Sequence, residues 1–92
     1  MDPYTNDEQA LVHALGRQIA AERVAKGMTQ EQLAGIVGIA KKSMTRYENG
    51  ERDPQLWVIV KIAEALNIIP SQLMVRAEAR RDEDRAARVR GL

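Results

Sequence analysis

The sequence predicts an all-α fold with five helices. Of its 92 residues 45% are hydrophobic, yet the chain has one Trp, two Tyr and no Phe. The core must therefore be built from Leu, Ile, Val, Met and Ala, which favours helix packing over a sheet sandwich. Apolar residues also recur at helical spacing between Gly, Asn and Pro residues that begin or end helices. These observations together indicate a small helical domain.

The first helix is predicted to begin at a capping box, Thr5-Asn6-Asp7-Glu8, and to run to about Lys26. Gly27 ends this helix, and Met28 enters the core. The helix carries an apolar stripe formed by Leu11, Leu15, Ile19 and, at its end, Val24.

The second helix has clear signals at both ends. Thr29 is a good N-cap residue, and Gln32 lies three places later, which is the spacing of a capping box. The helix should run over residues 30–37 and end at Gly38, because glycine adopts a left-handed backbone without steric cost. Ile39 is predicted to fill the tight turn that follows.

The third helix begins against the ordinary rules. Ala40, its predicted cap, offers no oxygen, and this deficit is typically ~1 kcal/mol against Ser or Thr. Lys41 and Lys42 place positive charge at the positive end of the helix dipole, at a cost of about 0.3–1 kcal/mol each. DNA phosphate would relieve this conflict, because free N–H groups and lysines both attract anions. The alternative is that the two lysines only keep the protein soluble.

These pieces carry a family resemblance. The segments LGRQIAAERVAKGMTQEQLA, VGIAKKSMTRYENGERDP and IVKIAEALNIIPSQL follow one another between Leu15 and Leu73. In order and spacing they resemble the Cro/repressor-type, XRE-like helix-turn-helix domain. The resemblance implies a compact five-helix, lambda-repressor-like bundle that binds operator DNA as a homodimer. Ala40 and Glu51 depart from the family pattern, which usually has Ser or Thr at the first position and often a basic residue at the second.

The resemblance also implies roles in DNA binding for individual residues. Gln30 would touch a phosphate and brace the recognition helix, residues 41–49. The side chains facing the groove would be Lys41, Lys42 and Arg46, with Arg46 the best candidate for a bidentate contact to guanine. Ser43 and Thr45 could reach phosphate or a thymine methyl group, and Asn49 would bind backbone phosphate. Asn49 and Gly50 also suit a helix-ending turn.

In proteins that this chain resembles, the residues corresponding to Arg23 and Glu48 form a partly buried salt bridge. The bridge ties the first helix to the end of the recognition helix. We therefore expect a structural role for Glu48, not a catalytic or metal-binding one.

The fourth and fifth helices follow a loop over residues 51–54. Pro54 is expected near the first turn of the fourth helix, and Asn67 ends that helix. Its predicted buried stripe is Leu56, Ile59, Ile62, Ala63 and Leu66. Ile68 returns to the core, Pro70 starts the fifth helix, and Leu73 anchors it.

Trp57 falls beside the predicted stripe. In related dimers the surface near the start of the fourth helix and the fifth helix makes the two-fold contact, and half-exposed Trp residues often anchor interfaces. We therefore predict a dimer interface at Trp57, with Val58 or Met74 nearby. The alternative is a Trp folded over the domain's own surface.

The chain changes character after Met74, so we divide it into a DNA-binding domain over residues 1–74 and a charged extension or tail over residues 75–92. The tail is rich in Arg, Ala and acids. It is expected to be a solvated helical extension; alternatively, it folds on a protein partner or lies along DNA.

Composition argues against an enzyme. The chain has no Cys and one His, His13, and it lacks a Gly-rich phosphate loop, so we expect no metal and no cofactor. No apolar run approaches the ~20 residues that cross a membrane, and no secretory signal is recognisable. The protein is expected in the cytoplasm, and on the nucleoid when bound to DNA. The net charge of only +1 predicts moderate DNA affinity and a modest salt dependence.

The sequence therefore predicts a sequence-specific regulator of transcription, most simply a repressor, with double-stranded DNA as its partner. Two alternatives stay open. The first is the antitoxin of a toxin–antitoxin pair, with the tail binding the toxin. The second is a protein-interaction module of the same fold that does not bind DNA.

Overall fold

The computed structural model describes residues 7–91 and shows five helices, with no strand in that range. The helices are α1 (Asp7–Ala25), α2 (Gln30–Val37), α3 (Lys41–Glu48), α4 (Leu56–Ala65) and α5 (Pro70–Val89). The all-α, five-helix prediction is therefore confirmed. The capping box predicted over residues 5–8 lies partly outside the described residues.

Local signals set the ends of α2 and α3. The Thr29 hydroxyl accepts from the backbone N–H of Gln32 at 3.0 Å, and the Gln32 side-chain oxygen accepts from the backbone N–H of Thr29 at 2.9 Å. Gly38 ends α2 with a left-handed φ of 87°. Ala40 precedes α3 with no side-chain hydrogen bond, so the first N–H groups of α3 have no side-chain cap.

One aliphatic core, to which Tyr47 adds an aromatic ring, joins all five helices. Its buried members are Leu15, Ile19, Leu33, Ala34, Val37, Met44, Tyr47, Val58, Ile62, Ala63, Leu66, Leu73 and Ala77. Met28, Ile39 and Ile68, predicted to enter the core, pack against its edge and are partly buried. Val24, predicted at the end of the α1 stripe, is 65% exposed and does not belong to the core.

The apolar face of α4 differs from the predicted one. The helix begins at Leu56, one residue after its N-cap Gln55, so Pro54 lies just before the helix. Val58 is buried, whereas Leu56 is 76% exposed. Two residues correspond to about 200° of helix rotation, so these two side chains point to opposite faces. The predicted stripe was out of phase at its first residue, although Ile62, Ala63 and Leu66 are buried as expected.

Helix α5 continues without a break through the position where we divided the chain. It spans 20 residues, and Ala77 in its second turn is fully buried. From Arg76 onwards α5 is also held to α1 by polar contacts: Arg76 to Glu22, Arg80 to Gln18, Asp84 to Arg17, and Arg85 to Asp7. The charged segment is thus a helix packed against α1 over the described residues.

Within residues 7–91 no single helix is long and apolar enough to cross a membrane. Helices α4 and α5 pass that test only when joined, and they are bent by 101° at the break between them.

Candidate nucleic-acid interface

Helix α3 presents three basic side chains to solvent. Lys41, Lys42 and Arg46 are all exposed. None of the three makes an ion pair or a side-chain hydrogen bond to any other residue in the described part of the chain. Lys42 and Arg46 are four residues apart, so they share one face of the helix. Their charge is therefore available to an anionic partner.

The opposite side of α3 is fixed to the body of the protein. Met44 is fully buried, and Tyr47 is 7% exposed. Side chains three residues apart lie on the same face of a helix, so these two form one inward stripe. With its inner face packed in this way, α3 presents its basic residues from a rigid support.

A buried ion pair locks the C-terminal end of α3 to α1. Arg23 donates from Nε to Glu48 Oε2 at 2.7 Å and from Nη2 to Oε1 at 3.0 Å. The two side chains are only 14% and 4% exposed, and Arg23 Nη1 also donates to the Met28 carbonyl at 2.7 Å. This bidentate geometry is the strong form of an Arg–carboxylate pair. Glu48 therefore has a structural role.

Gly16 allows α1 and α3 to approach closely, a feature that sequence reasoning missed. A Cβ at position 16 would overlap the Tyr47 carbonyl oxygen and lie 2.7 Å from the Glu48 carbonyl oxygen. An isolated glycine inside a helical pattern is costly and usually has a packing reason, which is the signal that could have found it. Gly50 has a similar role, because a Cβ there would lie 2.9 Å from the Cα of His13.

Gln30 connects the start of α2 to α3. Its amide Nε2 donates to Glu48 Oε1 at 2.9 Å, and its Oε1 accepts from the Thr45 hydroxyl at 2.8 Å. The Thr45 hydroxyl also lies 3.1 Å from the Lys41 carbonyl oxygen. Both side chains are half-buried and serve to brace the helix in this structure.

The N-terminal ends of α2 and α3 face a common shallow groove. Thr29, Gln30 and Lys41 are among the residues that line it. Helix N-termini with free N–H groups attract anions, and Lys41 adds a full positive charge. Glu31 also lines the groove with an exposed carboxylate, so the attraction for phosphate comes from the Lys41 side of the groove.

The remaining predicted DNA contacts lie on or next to the same helix. Ser43 is half-buried. Asn49 is exposed at the C-cap of α3, and its amide donates to Glu51 Oε1 at 3.2 Å. A phosphate at Asn49 would therefore approach a carboxylate, so Glu51 has to turn away for this contact to form.

Two apolar side chains are exposed at the start of α4. Trp57 is 50% exposed, its indole N–H donates to Gln55 Oε1 at 2.6 Å, and Lys61 Nζ lies 6.0 Å from the centre of its ring. Leu56, which we assigned to the core, is its exposed neighbour. Val58, which we assigned to a dimer contact, is 2% exposed and cannot make one without unfolding. Met74 is partly buried against the core.

Two titrating groups on α1 are perturbed by their surroundings. Burial lowers the pKa of His13, Arg17 lowers it further, and Asp84 opposes both effects. The hydrogen bond from Arg76 lowers the pKa of Glu22. Both groups contribute to helix packing and not to the exposed face of α3.

Residues 19–73 match the family profile described as helix-turn-helix. The transcriptional repressor RstR of the cryptic phage CTXphi from Vibrio cholerae serotype O1 is 41% identical over 59 residues, covering 64% of this chain and 53% of that protein. The transcriptional repressor RghR of Bacillus subtilis is 37% identical over 67 residues, covering 72% of this chain and 50% of that protein. The alignment thus spans about half the length of these two relatives.

Two solved structures are also similar to this chain. The restriction-modification controller protein C.AhdI from Aeromonas hydrophila has a TM-score of 0.65 and 38% identity, covering 68% of this chain and 94% of that one. The clp gene regulator ClgR from Corynebacterium glutamicum has a TM-score of 0.85, covering 88% of this chain and 86% of that one. With 20% identity, the second similarity shows the fold alone.

Proposed function

Because this chain belongs to the XRE-type helix-turn-helix family, we propose that it is a sequence-specific regulator of transcription that binds double-stranded DNA. Helix α3 enters the major groove, and repression is the outcome, as the names of RstR and RghR suggest for those relatives. The observation that carries the proposal is a set of three exposed basic side chains, without ion-pair partners among residues 7–91, on a helix whose opposite face is buried.

Contacts to the DNA backbone and to the bases have different sources on this surface. Lys41 and the first N–H groups of α3 bind phosphate and fix the position of the helix. Arg46 reads guanine through its planar, five-donor guanidinium, and Lys42 lies beside it on the same face. Gln30 and Thr45 hold α3 at the correct angle, with contacts from Ser43 and Asn49 to the backbone at either side. This assignment predicts a preference for guanine at one or two positions of each half-site.

The protein acts as a homodimer in this proposal, with Leu56 and Trp57 at the interface and Met74 at its edge. Half-exposed Trp residues are typical interface anchors, and burial of this one would remove apolar surface from water. A two-fold dimer requires a two-fold symmetric operator with half-sites about one helical turn, ~34 Å, apart. The protein would then work in the cytoplasm, on the nucleoid when bound to DNA.

Selection of bound duplexes from a random DNA pool tests the function. We expect a symmetric consensus with the predicted half-site spacing. Arg46→Ala should then weaken binding to the selected duplex by about tenfold or more and relax the preference at one base pair, because a bidentate base contact is worth about 1–3 kcal/mol. Fluorescence anisotropy measures both effects.

The matched control is Arg81→Ala, which removes the same charge from α5, where Arg81 lies beside Asp82 at 3.2 Å. It should bind the selected duplex like the wild type. Equal losses in the two variants would mean that only net charge matters, and unchanged binding by Arg46→Ala would refute the assignment of α3.

No observation on the described residues favours the antitoxin or the DNA-free interaction module over this function. In the antitoxin alternative the C-terminal segment would bind the toxin, whereas the interaction module would use the helical bundle itself. The inner side of that segment already packs against α1, so only its outer face is open to another molecule.

A further inference from the structure

The turn after α3 holds a carboxylate at the end of the helix. Gly50 adopts a left-handed φ of 71°, and its N–H donates to the Tyr47 carbonyl oxygen at 3.1 Å. The N–H of Glu51 donates to the Arg46 carbonyl oxygen at 2.9 Å. These two bonds form a Schellman motif, which closes the C-terminal end of a helix. The backbone of Glu51 is therefore fixed against the last turn of α3.

The same turn is also held from the inside. A Cβ at Gly50 would lie 2.9 Å from the Cα of His13, so the turn is in close contact with α1. Because the backbone is fixed on both sides, the Glu51 carboxylate can leave the end of α3 only by rotation of its own side chain.

The Glu51 carboxylate occupies the side-chain amide of Asn49. Asn49 Nδ2 donates to Glu51 Oε1 at 3.2 Å, and both residues are exposed. A carboxylate binds an N–H group more strongly than a neutral acceptor does. The second N–H of the amide is on the same nitrogen, so a phosphate bound there would still lie close to the carboxylate and be repelled by it. Asn49 can therefore bind DNA phosphate well only after Glu51 has turned away.

The surroundings of Glu51 do not neutralise its charge. Neither Glu51 nor the exposed Arg52 that follows it makes an ion pair within residues 7–91. The C-terminal end of a helix is also the negative end of its dipole, which repels a phosphate. At the other end of α3, Lys41 and free N–H groups attract one. The two ends of α3 therefore attract the DNA backbone unequally.

From this geometry we propose that Glu51 limits the DNA affinity of the protein by withholding Asn49 from the phosphate backbone. The inference rests on the proposed function. In the free protein the Asn49 amide is bound to Glu51; in the complex that bond breaks, the carboxylate rotates away, and the amide meets a phosphate. Because phosphate contacts carry no sequence information, the cost is the same for every base sequence. Glu51 thus lowers affinity without changing the base preference.

Removal of the Glu51 side chain should strengthen DNA binding. Glu51→Ala keeps the backbone N–H that bonds to Arg46, so the turn is retained. Fluorescence anisotropy should show an affinity gain of about fivefold for each subunit, on the selected duplex and on a duplex of scrambled sequence alike. The matched control is Glu83→Ala, the same change at an exposed position of α5, which should leave affinity unchanged. Equal gains in the two variants would mean that net charge sets the affinity, and the proposal would be overturned.

A double-variant cycle tests whether Glu51 acts through Asn49. In an Asn49→Ala background, Glu51→Ala should give a much smaller gain, because the amide that it would release is no longer present. Equal gains with and without Asn49 would show that the carboxylate repels DNA directly, and the proposal would be overturned. A gain confined to the selected duplex would also overturn it, since Glu51 would then oppose a contact to a base.

NMR spectroscopy of the isotope-labelled protein observes the contact itself without DNA. The side-chain amide signals of Asn49 are identified by their loss in Asn49→Ala. Glu51→Ala should shift these signals and Glu83→Ala should not; signals that stay in place in Glu51→Ala would overturn the proposal. If the wild type binds no duplex, the proposed function fails, and with it the limit that Glu51 sets on affinity. If the wild type binds and Glu51→Ala brings no gain, only the role of Glu51 is refuted.

Discussion

The basic residues of α3 and α5 have opposite surroundings. On α3, Lys41, Lys42 and Arg46 have no carboxylate partner among the described residues. On α5, Arg76 binds Glu22 at 2.7 Å and Arg85 binds Asp7 at 2.6 Å. The chain as a whole has a net charge of only +1. The contrast indicates that the pairing of charges, more than their number, decides which surface attracts DNA.

The difference has a physical cause in what each helix can bury. Helix α3 has Met44 and Tyr47 for its inner face, so its packing does not depend on its cations. Between Ala77 and the end of the described chain, α5 buries no large apolar side chain, and ion pairs to α1 replace hydrophobic contact there. Exposed pairs of this kind are worth under ~1 kcal/mol each, so this end of α5 is held by several weak contacts.

The largest effect is expected from the buried ion pair at the end of α3. Glu48→Ala leaves the Arg23 guanidinium buried without its carboxylate and should lower the free energy of unfolding by about 3–5 kcal/mol. Urea unfolding at neutral pH measures this. The comparison variant on α5 is Arg85→Ala, which should cost under ~1 kcal/mol because its pair with Asp7 is exposed. Similar losses in both variants would remove the distinction between the two helices.

Much of the fold could be predicted because its signals are local. The capping box at Thr29, the left-handed Gly38 and the proline that starts α5 each act within a few residues. The start of α4 has no comparable signal, since Gln55 makes no side-chain cap. The prediction therefore placed Leu56 in the core and Val58 on the surface, whereas the structure shows the reverse.

The features of the candidate DNA-binding site also fall into two groups, those that local sequence predicts and those that depend on contacts between distant residues. Exposure of the α3 cations follows from helical periodicity, so the sequence predicts it. An isolated glycine in α1 indicates a close approach, and the family resemblance predicts that Gln30 braces α3. The partners themselves, the carbonyl groups of Tyr47 and Glu48 for Gly16 and the Glu48 carboxylate for Gln30, lie far away in sequence and are identified only by the fold. The pairing of α5 with α1 depends on which charges meet across the two helices, which composition alone does not reveal.

The next largest effect on stability is expected at Gly16, where α1 contacts the C-terminal end of α3. Gly16→Ala should destabilise the protein by about 1–3 kcal/mol, because the new Cβ overlaps backbone carbonyl groups that cannot easily move. DNA affinity should also fall, since α3 would shift. Thermal unfolding and anisotropy titrations measure the two effects.

Gly35→Ala is the control for that substitution. A Cβ at Gly35 meets nothing within 4 Å, so alanine should stabilise α2 by up to about 1 kcal/mol through its helix propensity. A neutral Gly16→Ala would show that α1 and α3 are not in close contact.

A smaller effect is expected on the salt dependence of DNA affinity, which should differ between the basic residues of α3 and those of α5. Each phosphate neutralised contributes about 0.9 to the slope of log affinity against log salt concentration. Lys41→Ala should therefore reduce the slope by about that amount, because Lys41 is the lysine assigned to phosphate, whereas Arg76→Ala should leave the slope unchanged. Titrations of the selected duplex at several KCl concentrations give both slopes. A reduced slope for Arg76→Ala would instead place α5 along the DNA.

The smallest effect is expected at His13, where the two regions meet. Its ring packs near Gly50 at the end of α3, and Asp84 of α5 acts on its charge. Because the pKa of His13 is lowered in the fold, the unfolded chain binds a proton first as the pH falls. The stabilisation is therefore complete above the unfolded value of about 6.5 and is lost as the pH falls through the lower native value.

A proton NMR titration of the His13 ring should give a midpoint below 6.5. Asp84→Asn should lower that midpoint further, because it removes the carboxylate that favours the charged ring and leaves Arg17 uncompensated. His13→Gln should reduce the loss of stability between about pH 7.5 and about pH 5.5, above the range in which the carboxylates titrate. A midpoint that rises in Asp84→Asn would show that the end of α5 does not lie against α1, and the paired surroundings of its cations would then have to be revised.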